Sequence, residues 1–228
     1  MNRTLWKVIV QFVGIFIALG AVLFLSAGTV KWVGAWIFIV LSFGFLLTVY
    51  LWMFKHDPEL LQERTHILGK SDQQGWDKVL YLIFQIFAFA WLILISLDSA
   101  RYHWSHLAFW LELLGMLILL CSFLLFFLTF RENTFLSPVV RNQQDRGQKV
   151  VSTGPYHRVR HPMYSAIIMF IIGTSLLLGS YYGLLFGLID VIIIAVRAVL
   201  EERMLKIVLP GYDAYMRQVK YRFIPYVW

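Results

Sequence analysis

Apolar positions run along this chain in long unbroken stretches. They show neither the alternation of a half-buried strand nor the one-sided stripe of a soluble helix. Four stretches, 8–25, 32–54, 79–97 and 107–130, lie close to or beyond the about 20 residues that cross about 30 Å of hydrocarbon. Two shorter ones, 163–178 and 184–200, are joined by Gly-Ser-Tyr-Tyr-Gly and reach roughly 25 Å each at 1.5 Å per residue. They predict a helical hairpin that crosses with local thinning or stops short of the far interface. The first stretch is long for the core of a secretory signal and no small-x-small site closes it convincingly, so it reads as a retained first span.

Polar residues fall between these stretches and carry their own signals. In the 55–78 loop, Asp57-Pro58 predicts the start of a short amphipathic helix. The tail breaks at Pro210-Gly211, resumes as a short helix through Val219 and stops before Pro225. Six crossings with both ends on one side would place 18 of the 20 basic residues there, among them Lys70, and leave only Lys31 and Arg101 opposite. The positive-inside rule then makes both termini cytoplasmic.

Composition agrees. The chain is 60% hydrophobic and 14% charged with mean hydropathy +0.71, against about 45–50% and about 25% for soluble domains. The fold class expected is an all-α, multi-pass integral membrane protein: four transmembrane helices, a C-terminal helical hairpin and a short cytoplasmic helix. It forms one membrane domain, with a four-span bundle over 1–130 and a loop, hairpin and tail over 131–228. The net charge of +7 reads as basic loops facing anionic lipid, not as a nucleic-acid surface.

Motifs of soluble catalysis are missing: there is no G-x-G-x-x-G after a strand, no P-loop, no H-E-x-x-H and no G-x-S-x-G. Cys121 is alone in an apolar run and reads as a small buried residue. His103 and His106 without further ligands are a weak metal signal, and no metal is expected. Glu112 reads as a structural acid with a partner. Asp190, Arg197 and Glu201 are spaced seven and four apart, so one helix face carries acid, base and acid toward the cytoplasm, with Glu202 off that face. Such groups are costly in lipid and face protein or water; an ion-pair stripe that joins helices would show the same spacing. In Gly-Pro-Tyr-His-Arg-Val-Arg-His-Pro-Met-Tyr, 154–164, Pro162 suits the first turn of a helix. Arg160 and His161 then stand at its N-terminus with Tyr164 one turn in, an arrangement that clamps a polar ligand or anchors the chain at the interface.

The segments NTFLSPVVRNQQDRGQKVVSTGPYHRVRHPMY and RAVLEERMLKIVLPGYDAYMRQVKYRFIP resemble the isoprenylcysteine carboxyl methyltransferase family, membrane enzymes related to the phospholipid N-methyltransferases. The resemblance covers roughly 133–225 and rests on R-H-P-x-Y, an E-E pair one hairpin later and a closing Y-x-x-Y before I-P. It implies S-adenosylmethionine as cofactor. Positions similar to the family's cofactor contacts are Arg141, Gln148, Lys149, Val150, Val151, Tyr156, His161, Pro162, Met163, Tyr164 and Glu201, and Arg160 stands beside them. Arg197 takes the place of the arginine that meets the substrate. The chain departs at Gln148, where a histidine is common, and at Ser165, where a glycine is common.

The implied reaction moves a methyl group to a lipid-like or small hydrophobic acceptor of isoprenylcysteine carboxylate type, which needs no general base. An amine or thiol acceptor would need one, with Asp190 or His161 nearest. Other readings stay open from sequence: a phospholipid-amine or small-thiol methyltransferase, a sterol-reductase-like oxidoreductase using a nicotinamide cofactor, and a transporter or scaffold whose stripe only joins helices.

Overall fold

The computed structural model describes residues 3–65 and 73–228; Lys70 lies outside them. Among the described residues the protein is helical: α1 (Arg3–Ala27), α2 (Val33–His56), α3 (Pro58–Thr65), α4 (Gly75–Ser96), α5 (Phe109–Glu132), α6 (Pro162–Leu177), α7 (Tyr181–Val208) and α8 (Tyr212–Gln218). Five of these, α1, α2, α4, α5 and α7, are long and apolar enough to cross a membrane, and α6 is a shorter apolar helix. Their outer faces leave Leu51, Val79, Ile86, Leu117, Leu124, Leu185 and Ile192 exposed. Only hydrocarbon suits so continuous an apolar surface. The protein is an integral membrane protein. Cys121, expected inside, lies on this exposed surface.

The ends of the elements have local causes. Asp57 starts α3 by accepting a hydrogen bond from the Leu60 amide at 3.0 Å, with Pro58 at the first helical position. Ser180 does the same for α7, accepting from the Gly183 amide at 2.8 Å. α7 is 28 residues long, about 42 Å, and not the short arm that its apolar run suggested. Its last turns hold Glu201, Glu202, Arg203, Met204, Leu205 and Lys206, good helix formers that carry the helix beyond the apolar stretch. Gly211 at φ +85° then turns the chain into α8.

A central core of Leu23, Phe38, Trp91, Ile95, Leu119 and Ile171 joins α1, α2, α4, α5 and α6. α5 and α6 pack backbone to backbone. A Cβ on Gly115 would lie 2.4 Å from the Leu177 nitrogen, and one on Gly173 would lie 2.6 Å from the Leu119 nitrogen. This close approach of small residues is a membrane-helix solution, where packing rather than water exclusion draws helices together. α7 lies against α4 and α6, with Gly183 and Gly187 facing Ile95 and Ile171. Glu112 has no hydrogen-bond or ion-pair partner among the described residues, contrary to the expected structural pair.

Candidate active site

α7 emerges from the bundle beside the N-terminus of α6, and the 133–161 segment folds back over both. They enclose a cavity of about 290 Å³, closed at one end by α8. This is at the low end of the range of small-molecule sites, about 300–1,000 Å³. The cavity is lined by Arg141, Gln148, Lys149, Val150, Val151, Tyr156, Arg160, His161, Met163, Tyr164, Arg197 and Glu201, so nearly every expected residue reaches it from three separate parts of the chain. Two do not. Pro162 is buried at the first position of α6. Asp190, expected as a candidate base, shares the face but not the depth. It lies four residues, about 6 Å, below Ile194, the deepest residue of α7 in the lining, and is 1% exposed. Neither Asp190 oxygen has a hydrogen-bond partner.

The charged residues of the lining are held by acids that the stripe did not anticipate. Arg197 does not pair with Asp190. Its Nε donates to Asp77 Oδ1 at 2.7 Å and its Nη2 to the Pro138 carbonyl at 2.8 Å. Asp77 is fully buried in the first turn of α4, and its Oδ2 accepts from Gln73 Nε2 at 2.9 Å and the Val140 amide at 2.8 Å. One carboxylate thus fixes the arginine and the loop that covers it. Arg141 is gripped by Glu63 of α3, with Nε to Oε1 at 3.1 Å and Nη2 to Oε2 at 3.2 Å. The forked geometry holds α3 against the 137–141 loop, and Ser137 Oγ adds a bond to the same Oε1 at 2.9 Å.

Glu202, set aside because it falls off the stripe, is a structural hub. It is 3% exposed and accepts from Arg160 Nε at 2.7 Å and Arg222 Nε at 2.9 Å, with His161 Nε2 at 3.1 Å. Arg160 Nη1 also donates to the carbonyls of Val219 at 2.8 Å and Lys220 at 2.7 Å. Arg160 therefore lines the cavity and also fastens the tail. The tail is strapped down further by Arg160 N to Tyr221 O and His161 N to Arg222 O, both 2.9 Å, and by Ser165 Oγ to Phe223 O at 2.6 Å.

Glu201 differs from its neighbour. It is partly exposed, its Oε2 accepts from Tyr164 Oη at 2.8 Å, and its Oε1 has no partner among the described residues. Lys149 is exposed at the rim without an ion pair among the described residues. Opposite stand Tyr156, Tyr212 and Tyr215, the last donating from Oη to the Tyr156 carbonyl at 2.8 Å. Burial pushes all three phenols well above their ordinary value, and a hydrogen bond from Asn133 partly offsets this at Tyr156.

Sequence reasoning missed Asp77, Glu63, Asn133, Tyr212 and Tyr215. One signal pointed to Asp77: an acid in the first turn of a membrane helix.

Residues 110–209, from α5 to the end of α7, match the phospholipid methyltransferase family. The chain is a membrane methyltransferase. The matched span includes the 133–164 segment and the α6–α7 hairpin, where the sequence resemblance to a related methyltransferase family also lies. No curated relative matches the chain. Among solved structures, a eukaryotic intramembrane Ras methyltransferase, isoprenylcysteine carboxyl methyltransferase, aligns over 100% of this chain and 88% of its own at 16% identity and a TM-score of 0.49. That likeness is distant, and the identification rests on the family match.

Proposed function

We propose that this methyltransferase binds S-adenosylmethionine in the cavity between the 141–164 segment, α7 and α8, and methylates a lipophilic acceptor carrying a carboxylate of isoprenylcysteine type. The observation that carries the reading is that Arg197 and Glu201, one turn apart on α7, face a single cavity together with 148–151 and 156–164. The lining suits the cofactor: a carboxylate oxygen of Glu201 is free for an ammonium or ribose hydroxyl, and Tyr156, Tyr212 and Tyr215 offer rings to adenine or a cationic centre. When bound, S-adenosylmethionine supplies a methyl group on a positively charged sulfur, displaced in line.

The protein's part is alignment, which contributes about 7–11 kcal/mol in favourable cases. Asp77 and the Pro138 carbonyl hold the Arg197 guanidinium, leaving Nη1 without a partner among the described residues and ready for an oxyanion. A carboxylate acceptor needs no base. Charge neutralisation in a dry pocket then favours the transfer. The excess of basic residues in the loops supports a cytoplasmic position for the cavity and both termini by the positive-inside rule, with 1–130 read as a four-span bundle and 131–228 as the site-bearing part of one domain among membrane lipids.

A phospholipid amine is the second reading, supported by the printed name of the matched family. Asp190 lies about 6 Å below the lining with neither oxygen hydrogen-bonded, so an amine acceptor would have to arrive in the cavity already deprotonated.

Titration of S-adenosylhomocysteine into detergent-solubilised protein tests the core claim, with saturable binding expected and none from NADPH. Arg197→Lys keeps the charge opposite Asp77 but lacks the forked grip. It should bind S-adenosylhomocysteine as the wild type does and fail to move a radiolabelled methyl to a membrane lipid extract. Absence of saturable S-adenosylhomocysteine binding would sink the proposal.

A further inference from the structure

Arg64 was in none of the expected site residues, yet it lines the cavity. Its side chain rises from α3 on a wall completed by Tyr81, Phe84 and Gln85 of α4. Neither helix contributes any residue expected to hold the cofactor. The other arginines of the lining have carboxylates: Arg141 has Glu63, Arg160 has Glu202 and Arg197 has Asp77. Arg64 has none within ion-pair distance among the described residues. The neighbouring Glu63 is turned to Arg141 and Ser137. What holds Arg64 is weaker: one hydrogen bond from Nη1 to the Leu136 carbonyl at 3.2 Å, and the Phe130 ring 4.6 Å from its guanidinium carbon.

A partly buried guanidinium without a carboxylate at ion-pair distance among the described residues is costly. Burial lowers its pKa from 12.5 to about 10, so it stays charged at neutral pH. Two of its nitrogens, Nε and Nη2, have no partner among the described residues. Leu136, which accepts from Arg64, and Pro138, which accepts from Arg197, are two residues apart in the same stretch. The two arginines therefore approach one short segment from α3 and α7, and between them have one carboxylate, Asp77, at ion-pair distance among the described residues.

We infer that Arg64 is the head-group recognition residue of this enzyme: with Arg197 it binds an oxyanion, carboxylate or phosphate, on the lipophilic acceptor. The inference rests on the methyltransferase reading of the cavity and sharpens it. The acceptor is an anionic amphiphile, its acyl or prenyl part running along Phe84 and its neighbours and its charge on α3.

The probes are dodecyl phosphate and dodecanoate, with uncharged dodecanol as the control, added to the full chain in maltoside micelles at pH 8. Binding is read as a saturable rise in thermal midpoint, and S-adenosylhomocysteine affinity is measured in parallel. The wild type should be stabilised by at least one anion and not by dodecanol. Stabilisation by dodecyl phosphate alone identifies a phosphate head group, and stabilisation by dodecanoate alone a carboxylate. Arg64→Gln should weaken anion binding about 10- to 100-fold, the loss of one charge-assisted contact, and leave S-adenosylhomocysteine affinity within twofold.

Three results overturn the inference: no anion preference over dodecanol in the wild type, undiminished anion binding in Arg64→Gln, or a matching loss of S-adenosylhomocysteine affinity, which would put Arg64 at the cofactor. Anion binding without any S-adenosylhomocysteine binding in the wild type would instead remove the enzyme reading and keep the anion site. If Arg64→Gln does not fold, phenylglyoxal modification of Arg64 in the wild type, mapped by mass spectrometry, decides. Protection by the stabilising anion supports the site, and modification at the unprotected rate overturns it.

Discussion

Glu201 and Glu202 are neighbours on α7 with opposite duties, and changing each to glutamine separates them. Glu202 is 3% exposed and gathers Arg160, His161 and Arg222 on its two oxygens. Glutamine keeps the shape but removes the charge and puts an N–H pair where a donor now points. A hydrogen bond to a charged group is worth about 1.5–3 kcal/mol, and three such contacts on one carboxylate do not add. Breaking a buried ion pair costs about 3–5 kcal/mol, and that is the loss expected for Glu202→Gln. For a chain of this size it corresponds to a fall of roughly 6–20 °C in thermal midpoint. Glu201 is partly exposed and accepts one hydrogen bond, from the Tyr164 hydroxyl, with His161 Nδ1 at 3.9 Å, so Glu201→Gln should cost about 1 kcal/mol of stability. Its effect should appear at the cofactor instead, as about 10- to 150-fold weaker S-adenosylhomocysteine binding. Thermal unfolding in detergent and a binding titration on the folded fraction read the two quantities separately. The assignment is refuted if Glu202→Gln melts with the wild type, or if both variants lose cofactor affinity equally.

Three further outcomes are expected. Gly173→Ala drives a methyl group into the α5 backbone and should destabilise the protein by about 1–3 kcal/mol or more; an unchanged thermal midpoint would show that the helices can separate freely. Tyr156, Tyr212 and Tyr215 have folded-state pKa values raised above 10.0, so the folded state keeps protons that the unfolded state releases. Stability should therefore be insensitive to these groups below about pH 10 and fall above it, and a denaturant series across that range checks the sign. Cysteine at Ser152 should react with an impermeant maleimide only after the membrane is opened, and labelling from outside intact cells would reverse the topology.

The sequence reading came closest where the signal was local. Apolar runs marked α2, α4, α5 and α6 to within a few residues, Asp57-Pro58 marked the start of α3, and Pro210-Gly211 marked the break before α8. The lining was largely legible too, because Tyr156, His161, Tyr164, Arg197 and Glu201 sit in dense polar motifs that a lipid-embedded chain has no other use for. The partners were not legible. Asp77 meets Arg197 across 120 positions and Glu63 meets Arg141 across 78, and nothing in the spacing links them. Helical periodicity also misled at Asp190. It reports the side of a helix on which a residue stands, but not how far along that side the cavity extends. From Asp190 to Glu201 is about 17 Å of helix axis, and the lining stops at Ile194. The polar end of α7 was cut short for a related reason: hydropathy marks where lipid ends, and the helix continues past that point on the strength of its own backbone and side chains.

The strap formed by Tyr221, Arg222 and Phe223 also sets an order of events during synthesis. These residues leave the ribosome after every membrane helix, yet they supply the backbone bonds that seat Arg160, His161 and Ser165 at the head of α6. Until they emerge, the nascent chain has its helices in the bilayer and a half-built pocket at the head of α6. Such sequence-distant closure is slow relative to helix formation. Completion of the pocket is therefore a distinct last stage of biogenesis, and a translating ribosome stalled just short of Tyr221 would hold an inserted chain whose pocket is unfinished.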